Sequence, residues 1–318
     1  MDKDQYRLLK NYTSAIYELN EHGIKTQIKD AKKFINVSKF YDAVYYGQGV
    51  TVAVIDTGIE PLFDFCIPIN RILAFKDFTD KSIVDPYDDN GHGTFVSGII
   101  GGNGLLSFGE FGGIAPFCNL VILKALNEKG EGYSPTILEA MNWIIKNKEK
   151  YSIKVVCLSF GSEVLPKNDT LSLGAKKVWE SGIVVVTAGG NDGPNFGTIT
   201  SPGICGQIIT VGALDSLSHY LKVADYSSRG NLYSRIIKPD ILAPGTNIIS
   251  NGYKVGEQNY VTMSGTSVSA PIIAGVCALF CEKFPRFTPN QIKSKLFKYA
   301  VDIGENQNVQ GRGVFVYK

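Results

Sequence analysis

The sequence carries almost no excess of charge of either sign. Its 318 residues include 32 Lys and Arg against 30 Asp and Glu, which leaves a formal net charge of +2 at pH 7. A balance this small gives no argument for a nucleic acid or a membrane surface as a partner. The chain also lacks an apolar run as long as a transmembrane helix, and no apolar signal segment follows its first residues. We therefore expect a cytoplasmic protein.

Cysteine is also scarce, with six residues in the whole chain. Cys157 lies in the apolar run Val-Val-Cys-Leu, where cysteine behaves as a small hydrophobic residue. Without a signal segment we expect all six cysteines to be reduced. Cys277 and Cys281 lie four residues apart on one predicted helix, but no His or Cys partners follow at metal-ligand spacing. The sequence therefore predicts neither a disulfide framework nor a zinc site.

Apolar, β-branched runs alternate with helical patterns from about residue 46 onward. The run at 50–55, Val-Thr-Val-Ala-Val-Ile, is typical of a strand that is covered on both faces. Similar runs occur at 120–123, 155–158, 183–186 and 208–211. This alternation predicts a three-layer α/β fold, with helices on both faces of a mostly parallel, twisted sheet.

Capping patterns indicate where several helices begin. Ser134-Pro135 predicts an N-cap followed by proline at the first helical position. Asp169-Thr170 opens a second helix, which Gly182 ends, and residues 288–291 (Thr-Pro-Asn-Gln) form a capping-box pattern. Residues 1–45 are polar and mixed, with a weak helical pattern around 12–20. We expect an N-terminal extension over 1–45 and one domain over 46–318.

Small residues surround Ser267 in the stretch 260–275, Tyr-Val-Thr-Met-Ser-Gly-Thr-Ser-Val-Ser-Ala-Pro-Ile-Ile-Ala-Gly. An apolar helical pattern follows, with Pro271 expected in its first turn, where a missing N–H costs nothing. Ser267 should then lie at the N-terminus of a core helix, where free N–H groups and the helix dipole favour negative charge. The alternative is a Ser/Thr-rich loop that merely caps a buried helix.

Two further residues could supply acid–base chemistry. Asp56 ends the first predicted strand, and functional groups gather at the carboxyl ends of parallel strands; a structural turn residue is the alternative. His92 lies between glycines, which would let a substrate backbone approach, just before the helical run at 94–100. A structural histidine is the alternative there. Asp56, His92 and Ser267 could act together as orienter, general base and nucleophile.

Three motifs in this order resemble those of the subtilisin-like serine proteases. They are Asp-Thr-Gly at 56–58, Gly-His-Gly-Thr at 91–94 and Gly-Thr-Ser-Val-Ser-Ala-Pro at 265–271. The resemblance runs from about Gly47 to Tyr299, and the short extension is similar to the layout of intracellular subtilisins. It implies an endopeptidase with an Asp-His-Ser triad, in which Asn191 and the Ser267 backbone N–H bind the oxyanion.

The resemblance also implies an extended peptide or protein substrate, held between Gly130-Glu131-Gly132 and Ser159-Phe160-Gly161. Ordinary Gly-rich turns are the alternative for both segments. Thr200 lies where the family usually has a glycine at the floor of the primary pocket, which should make the pocket smaller, and Phe160 is bulky beside it. Asp192 on the pocket rim would favour a basic side chain.

The sequence leaves two questions open: whether the chain has a calcium site, and whether residues 1–45 regulate it. Asp64 could match a family calcium ligand, but the stretch 101–113 lacks the carboxylates that a tight calcium site uses. Asp85, Asp88 and Asp89 could bind a weaker ion or be solvated surface charges. Residues 1–45 could cover the cleft by laying a segment across Ser267, or could be a packing arm.

Three interpretations of function follow. The first is an intracellular serine endopeptidase that matures a dedicated peptide or protein. The second is a catalytically silent subtilase-like protein that binds peptides. The third, an α/β-hydrolase esterase, expects Gly-x-Ser-x-Gly and the order Ser, Asp, His, neither of which the chain shows. The sequence does not predict an oligomeric state.

Overall fold

The computed structural model describes residues 8–10, 28–164, 169–216, 221–254 and 258–318. The helices are α1 (Ile28–Phe34), α2 (Ser38–Asp42), α3 (Phe63–Cys66), α4 (His92–Gly101), α5 (Ser134–Asn147), α6 (Thr170–Glu180), α7 (Thr266–Lys283), α8 (Pro289–Lys298) and α9 (Gln307–Gln310), and a 3-10 turn covers Leu105–Ser107. The strands are β1 (Leu8–Lys10), β2 (Thr51–Asp56), β3 (Ile72–Asp77), β4 (Asn119–Lys124), β5 (Glu131–Tyr133), β6 (Ile153–Leu158), β7 (Val184–Ala188), β8 (Ile209–Ser216), β9 (Lys222–Val223), β10 (Ile241–Pro244), β11 (Ile248–Lys254), β12 (Gln258–Met263), β13 (Ala300–Val301) and β14 (Val314–Phe315).

One large sheet organises the described part of the chain. Its order is β13-β14-β10-β8-β7-β6-β2-β4-β3, with β9 beside β8. The pairs from β14 through β3 are parallel, whereas β13 and β9 pair antiparallel with their neighbours. Strand β2 lies between β6 and β4, so its carboxyl end is near the middle of one sheet edge.

The predicted mostly parallel α/β sheet is confirmed. Each of the five apolar runs forms a strand, namely β2, β4, β6, β7 and β8. All side chains of β2 and β7 are buried, because layers cover both faces of the sheet there. Helix α7 contacts β6, β7, β8 and β10, while α5 and α6 pack against each other.

Two helix starts agree with the sequence patterns. The Asp169 side chain accepts the N–H of Ser172 at the start of α6. Thr288 and Gln291 form the predicted capping box of α8. At α5 the prediction is off by one residue: Ser134 is already helical and Tyr133 is the N-cap, without a side-chain cap.

The prediction for Pro271 is wrong. Helix α7 begins at Thr266, directly after Gly265, whose φ of 151° favours glycine. Pro271 therefore lies in the second turn, inside the helix. Because proline has no N–H, the carbonyl of Ser267 lacks its usual partner four residues on. The backbone next to the proposed nucleophile is thus less tied into the helix than expected.

Helix α7 bears on the prediction that the chain has no transmembrane helix. Its 18 residues, Thr266–Lys283, have a mean hydropathy of 1.3 and are long and apolar enough to cross a membrane by length and composition alone. However, 89% of this window is buried inside the protein. It is the central core helix, and other helices among the described residues do not meet the same test.

The second half of the extension packs onto the domain. Phe40 of α2 stacks on Tyr317, with ring centroids 3.9 Å apart. The Tyr41 hydroxyl donates to the carbonyl oxygen of Ile114 at 2.8 Å, and Lys32 Nζ donates to that of Gly112 at 3.0 Å. The domain boundary at residue 46 stays a prediction. The weak helix predicted around 12–20 lies outside the described residues.

Candidate active site

The proposed acid–base pair joins the central strand to helix α4. Asp56 is the last residue of β2, and His92 is the first residue of α4. Asp56 Oδ1 lies 2.7 Å from His92 Nδ1 and accepts the backbone N–H of Thr57 at 2.8 Å. Both side chains of the pair are buried, with exposed fractions of 0% and 1%. This geometry suits a carboxylate that orients an imidazole through Nδ1 and leaves Nε2 for a proton transfer.

Burial and two carboxylates act in opposite directions on the pKa of His92. Burial disfavours the charged ring and lowers the pKa, whereas the charge and hydrogen bond of Asp56 and the charge of Asp88 raise it. The net result is a pKa above the ordinary value of 6.5. The ring is therefore a stronger base than a free imidazole, which suits a general base.

Asp88 holds together the two turns that carry Asp56 and His92. Its Oδ1 accepts the Thr57 hydroxyl at 2.9 Å and the N–H groups of Asn90 and Gly91 at 3.1 and 2.8 Å. Its Oδ2 accepts the N–H and hydroxyl of Thr94 at 2.9 and 2.6 Å. One buried carboxylate thus ties the turn after Asp56 to the first turn of the His92 helix.

The glycines beside His92 serve the protein's own backbone. A Cβ atom on Gly93 would lie 2.2 Å from the carbonyl oxygen of Gly58, and Gly91 has a φ of 101°. The prediction that both glycines make room for a substrate is therefore wrong for Gly93. Its missing side chain lets α4 approach the turn that follows Asp56.

Ser267 lies in the first turn of α7, as the sequence predicts, and is fully buried. Helices α4 and α7 pack against each other, which brings the elements that carry His92 and Ser267 together. Ser267 Oγ and His92 Nε2 are both buried and lack a hydrogen-bond partner. The direct bond between these two atoms is therefore not formed in this structure.

The loop after β7 meets the start of α7 at Asn191. Asn191 Oδ1 accepts the backbone N–H and the hydroxyl of Thr266, both at 2.9 Å. The N–H of Gly190 donates to the same Thr266 hydroxyl at 3.1 Å. These bonds hold the Asn191 amide beside the residue that precedes Ser267.

The first segment that was predicted to bind substrate, Gly130-Glu131-Gly132, is already paired with another strand. Glu131 and Gly132 belong to β5, which Gly130 precedes with a φ of 71°. Strand β1 pairs antiparallel with β5, so that Leu9 lies opposite Gly132 and Lys10 opposite Glu131. The N-terminal segment therefore occupies the backbone of the strand that was predicted to bind substrate.

The second predicted edge follows β6. Ser159 and Phe160 are fully buried, and Gly161 precedes Ser162. Ser162 and Ser201 exchange backbone hydrogen bonds of 3.0 and 2.9 Å. This edge thus lies beside the segment that carries the predicted pocket residue Thr200.

Thr200 contacts the loop after β7, which carries Asn191. Its backbone N–H donates to the carbonyl oxygen of Gly189 at 3.0 Å, and a Cβ atom on Gly190 would lie 2.8 Å from Thr200 Cγ2. Asp192, in the same loop, is exposed, and its backbone N–H donates to Ser228 Oγ at 3.1 Å. The residues predicted to form the pocket therefore lie within one cluster of loops.

Lys124 is a site residue that sequence reasoning missed. It lies opposite Asp56 in the sheet register, and its Nζ is buried. Nζ donates to Asp89 Oδ1 at 2.6 Å and to the carbonyl oxygens of Thr57 and Leu126 at 2.7 and 3.0 Å. The sequence did contain a signal for this role: a lysine directly follows the apolar run at 120–123, and a buried cation needs a partner.

Neither interpretation of the acidic cluster at 85–89 fits Asp88, which is buried among five hydrogen-bond donors. Asp89 is exposed, as expected for a surface charge, and pairs with Lys124. Asp85 is exposed. Across the described ranges there is no group of three or more His, Cys, Asp or Glu that could hold a metal ion.

Asp64, the candidate calcium ligand, has protein donors on both oxygens. Oδ1 accepts the N–H of Leu106 at 2.8 Å, and Oδ2 accepts Asn251 Nδ2 and the Tyr260 hydroxyl at 2.8 and 2.7 Å. Calcium takes oxygen ligands that point lone pairs, not protons, at the ion. The residues around Asp64 therefore do not fit a calcium ion.

Comparisons with known proteins agree with this architecture. Residues 47–313 match the Subtilase family. Serine protease AprX of Bacillus subtilis (strain 168) is 41% identical over 292 residues, which cover 84% of this chain and 65% of AprX. The chain thus spans slightly less than two thirds of that relative. An intracellular serine protease of Paenibacillus polymyxa is 32% identical over 84% of this chain and 79% of its own length.

A solved protease structure is also similar to this chain. The S41 psychrophilic protease superposes with a TM-score of 0.76 at 29% identity, covering 86% of this chain and 92% of that protein. The family match at 47–313 includes the strands and helices that carry the motifs at 56–58, 91–94 and 265–271. The chain belongs to the subtilase family.

Proposed function

We propose that this protein is a serine endopeptidase with Asp56, His92 and Ser267 as its catalytic triad. The observation that carries the proposal is the buried 2.7 Å contact between Asp56 Oδ1 and His92 Nδ1. An oriented imidazole is what a serine nucleophile requires as its base. The position of Ser267 in the first turn of α7, packed against the His92 helix, supports its role as the nucleophile.

In the proposed reaction, Ser267 Oγ attacks the peptide carbonyl while His92 Nε2 takes its proton. His92 then gives this proton to the leaving amine, and a water molecule releases the acyl group by the same steps in reverse. Asp56 keeps the ring in the required tautomer and stabilises the imidazolium. Asn191 and the Ser267 backbone N–H bind the oxyanion, a contribution of about 100- to 1,000-fold in turnover for one such donor.

The Oγ–Nε2 hydrogen bond must form before this reaction can start. Catalytic hydrogen bonds are often long in the absence of substrate and tighten in the complex. The unpartnered state of both atoms also favours a second candidate function, a silent subtilase-like protein that binds peptides without cleaving them. Reactivity of Ser267 distinguishes the two.

The test is labelling with a phosphonylating or sulfonylating active-site reagent, followed by intact-mass measurement. An endopeptidase adds one reagent per chain at Ser267, and Ser267→Ala abolishes the label. Ser264→Ala is a matched control, because Ser264 lies in the same segment outside the proposed triad and should leave labelling unchanged. No label on a chain that hydrolyses no peptide would favour the silent binding protein.

We infer that the substrate is an extended peptide or protein segment that pairs with β5. The pairing of β1 with β5 supports this, because it demonstrates that the strand accepts an antiparallel neighbour through backbone bonds. Thr200 and Phe160 would favour small or medium side chains at the residue before the cleaved bond. Asp192 would favour a basic one.

We also propose that the N-terminal extension regulates the cleft. Strand β1 occupies β5, and Asp56, His92 and Ser267 are buried in the full chain. A substrate would have to displace β1 to use the same backbone groups. A crossing of Ser267 by the segment 11–27 lies outside the described residues.

An intracellular setting fits the cysteines. All six are free and five are buried, which suits a reducing compartment. The names of relatives favour neither location, since both intracellular and extracellular proteases are among them. A dedicated role, the maturation of one peptide or protein, is a further proposal. Mass spectrometry of peptides that accumulate in a Ser267→Ala strain tests it, and an unchanged peptide profile would contradict it.

A further inference from the structure

The Asp64 carboxylate is a fully buried anion in the short helix α3. Its three donors come from two distant parts of the chain: Leu106 lies in the 3-10 turn after α4, whereas Asn251 and Tyr260 lie on the paired strands β11 and β12. Both oxygens are therefore satisfied by N–H and O–H groups. An isolated buried carboxylate would otherwise be very costly.

A buried cation bonds to the backbone of the same helix. The guanidinium of Arg71 is nearly buried and donates to the carbonyl oxygens of Asp64, Gly101 and Cys118, the last at 3.0 Å. Backbone carbonyl oxygens are also what a calcium ion would bind. Arg71 thus supplies a fixed positive charge to acceptors that a metal could otherwise take.

The β11–β12 hairpin that Asp64 holds leads directly into the proposed nucleophile, since β12 ends at Met263 and Ser267 follows shortly after. The hairpin also packs tightly on the His92 helix. A Cβ atom on Gly98 would lie 2.4 Å from Asn251 Oδ1, and Ser250 Oγ donates to the carbonyl oxygen of Phe95 at 2.9 Å. Asp64 therefore links α3, the turn after α4 and the approach to α7.

We propose that Asp64 and Arg71 form a built-in, metal-free anchor that does the structural work of a calcium ion. Tyr260 and Asn251 connect this anchor to the hairpin, so that the segment before Ser267 is held without a dissociable ligand. The anchor depends only on the fold and its internal bonds. It holds whether or not the chain is a peptidase.

The test uses the full chain with Ser267→Ala, which prevents self-digestion, and measures thermal unfolding with a chelator and with added calcium. We expect the same Tm under both conditions. Tyr260→Phe removes one donor and should lower Tm by about 2 to 4 °C, because the Asp64 oxygen loses a hydrogen bond to a charged acceptor. Tyr233→Phe is the matched control, since Tyr233 is 97% exposed, and should leave Tm unchanged.

Two results would overturn the proposal. The first is a Tm that falls with the chelator, recovers with calcium, and loses this response in Asp64→Asn, which would make Asp64 a metal ligand. The second is a Tyr260→Phe variant that unfolds at the temperature of its parent, which would mean that the hairpin is not anchored there. If Asp64→Asn does not fold, the Tyr260→Phe comparison still decides, because that variant removes a single hydroxyl and leaves the Asp64 carboxylate in place.

Discussion

At the scale of single residues, two carboxylates define the environment of His92. Asp56 bonds to Nδ1 directly, whereas Asp88 acts through its charge and through the turns that it holds. Lys124 faces the same region from β4 and bonds to the turn after Asp56. Cys157, on β6, is neutral at physiological pH because burial raises the pKa of its thiol to about 12. Burial is the largest single influence and lowers the pKa of His92, but the two carboxylates together outweigh it, so the net pKa is raised.

The pH dependence of peptide hydrolysis should reflect the raised pKa of His92. The ring must be neutral to accept the Ser267 proton, and Asp56 and Asp88 stabilise its protonated form against the opposing effect of burial. We therefore expect kcat/KM to fall on the acid side with a midpoint above 6.5, and not at the value of a free imidazole. A midpoint clearly below 6.5 would contradict this assignment.

Asp88→Asn should move that midpoint to lower pH, because it removes one of the charges that raise the pKa of His92. It should also reduce kcat/KM by about tenfold or more, since the N–H₂ group replaces one carboxylate oxygen and cannot accept the hydrogen bonds that this oxygen received. Asp85→Asn removes the same charge from an exposed position and should change neither quantity. Loss of activity with an unmoved midpoint would mean that Asp88 acts only as a structural residue.

Thr200→Gly should widen the primary pocket. Thr200 Cγ2 lies against Gly190, so its removal opens space beside the loop that carries Asn191. We expect the ratio of kcat/KM for Phe over Ala before the cleaved bond to rise by about tenfold or more. Using a ratio within each enzyme removes effects on overall activity. An unchanged ratio, or a parent enzyme that prefers Trp or acidic residues, would contradict the proposed pocket.

At the scale of elements, the site depends on close contacts between turns. The start of α4 approaches the turn after β2 because Gly93 has no side chain, and α7 begins abruptly because Gly265 adopts a conformation that favours glycine. The motifs predicted these elements well, because capping and apolar periodicity are local properties. The place of Pro271 was missed, because the start of α7 depends on the backbone of Gly265.

At the scale of the whole molecule, the N-terminal segment and the domain share the β5 edge. The residues 28–42 pack firmly onto the domain, so a truncation should leave them in place. Deleting residues 1–10 removes β1 alone from the described elements. It should expose β5 to substrate without removing the packing of Phe40 on Tyr317.

We expect the 1–10 deletion to raise kcat/KM and the labelling rate by about tenfold or more, because a tethered strand competes at a high effective concentration. Deletion of residues 1–7 is the matched control, since it leaves Leu8–Lys10 in the chain. The measurement is peptide hydrolysis together with labelling at Ser267. If both deletions behave like the full chain, the extension is a packing arm and does not regulate the cleft.

The sequence by itself determined the α/β class, the strands and most helix starts, and it predicted Asp56 and His92 as partners. These follow from patterns within a few residues, or from motifs that can be compared with a family. Only the tertiary structure decided the roles of Asp88, Lys124 and Asp64. Asp64 and Tyr260 are separated by 196 residues, and no periodic pattern links a buried charge to partners that folding brings from so far away.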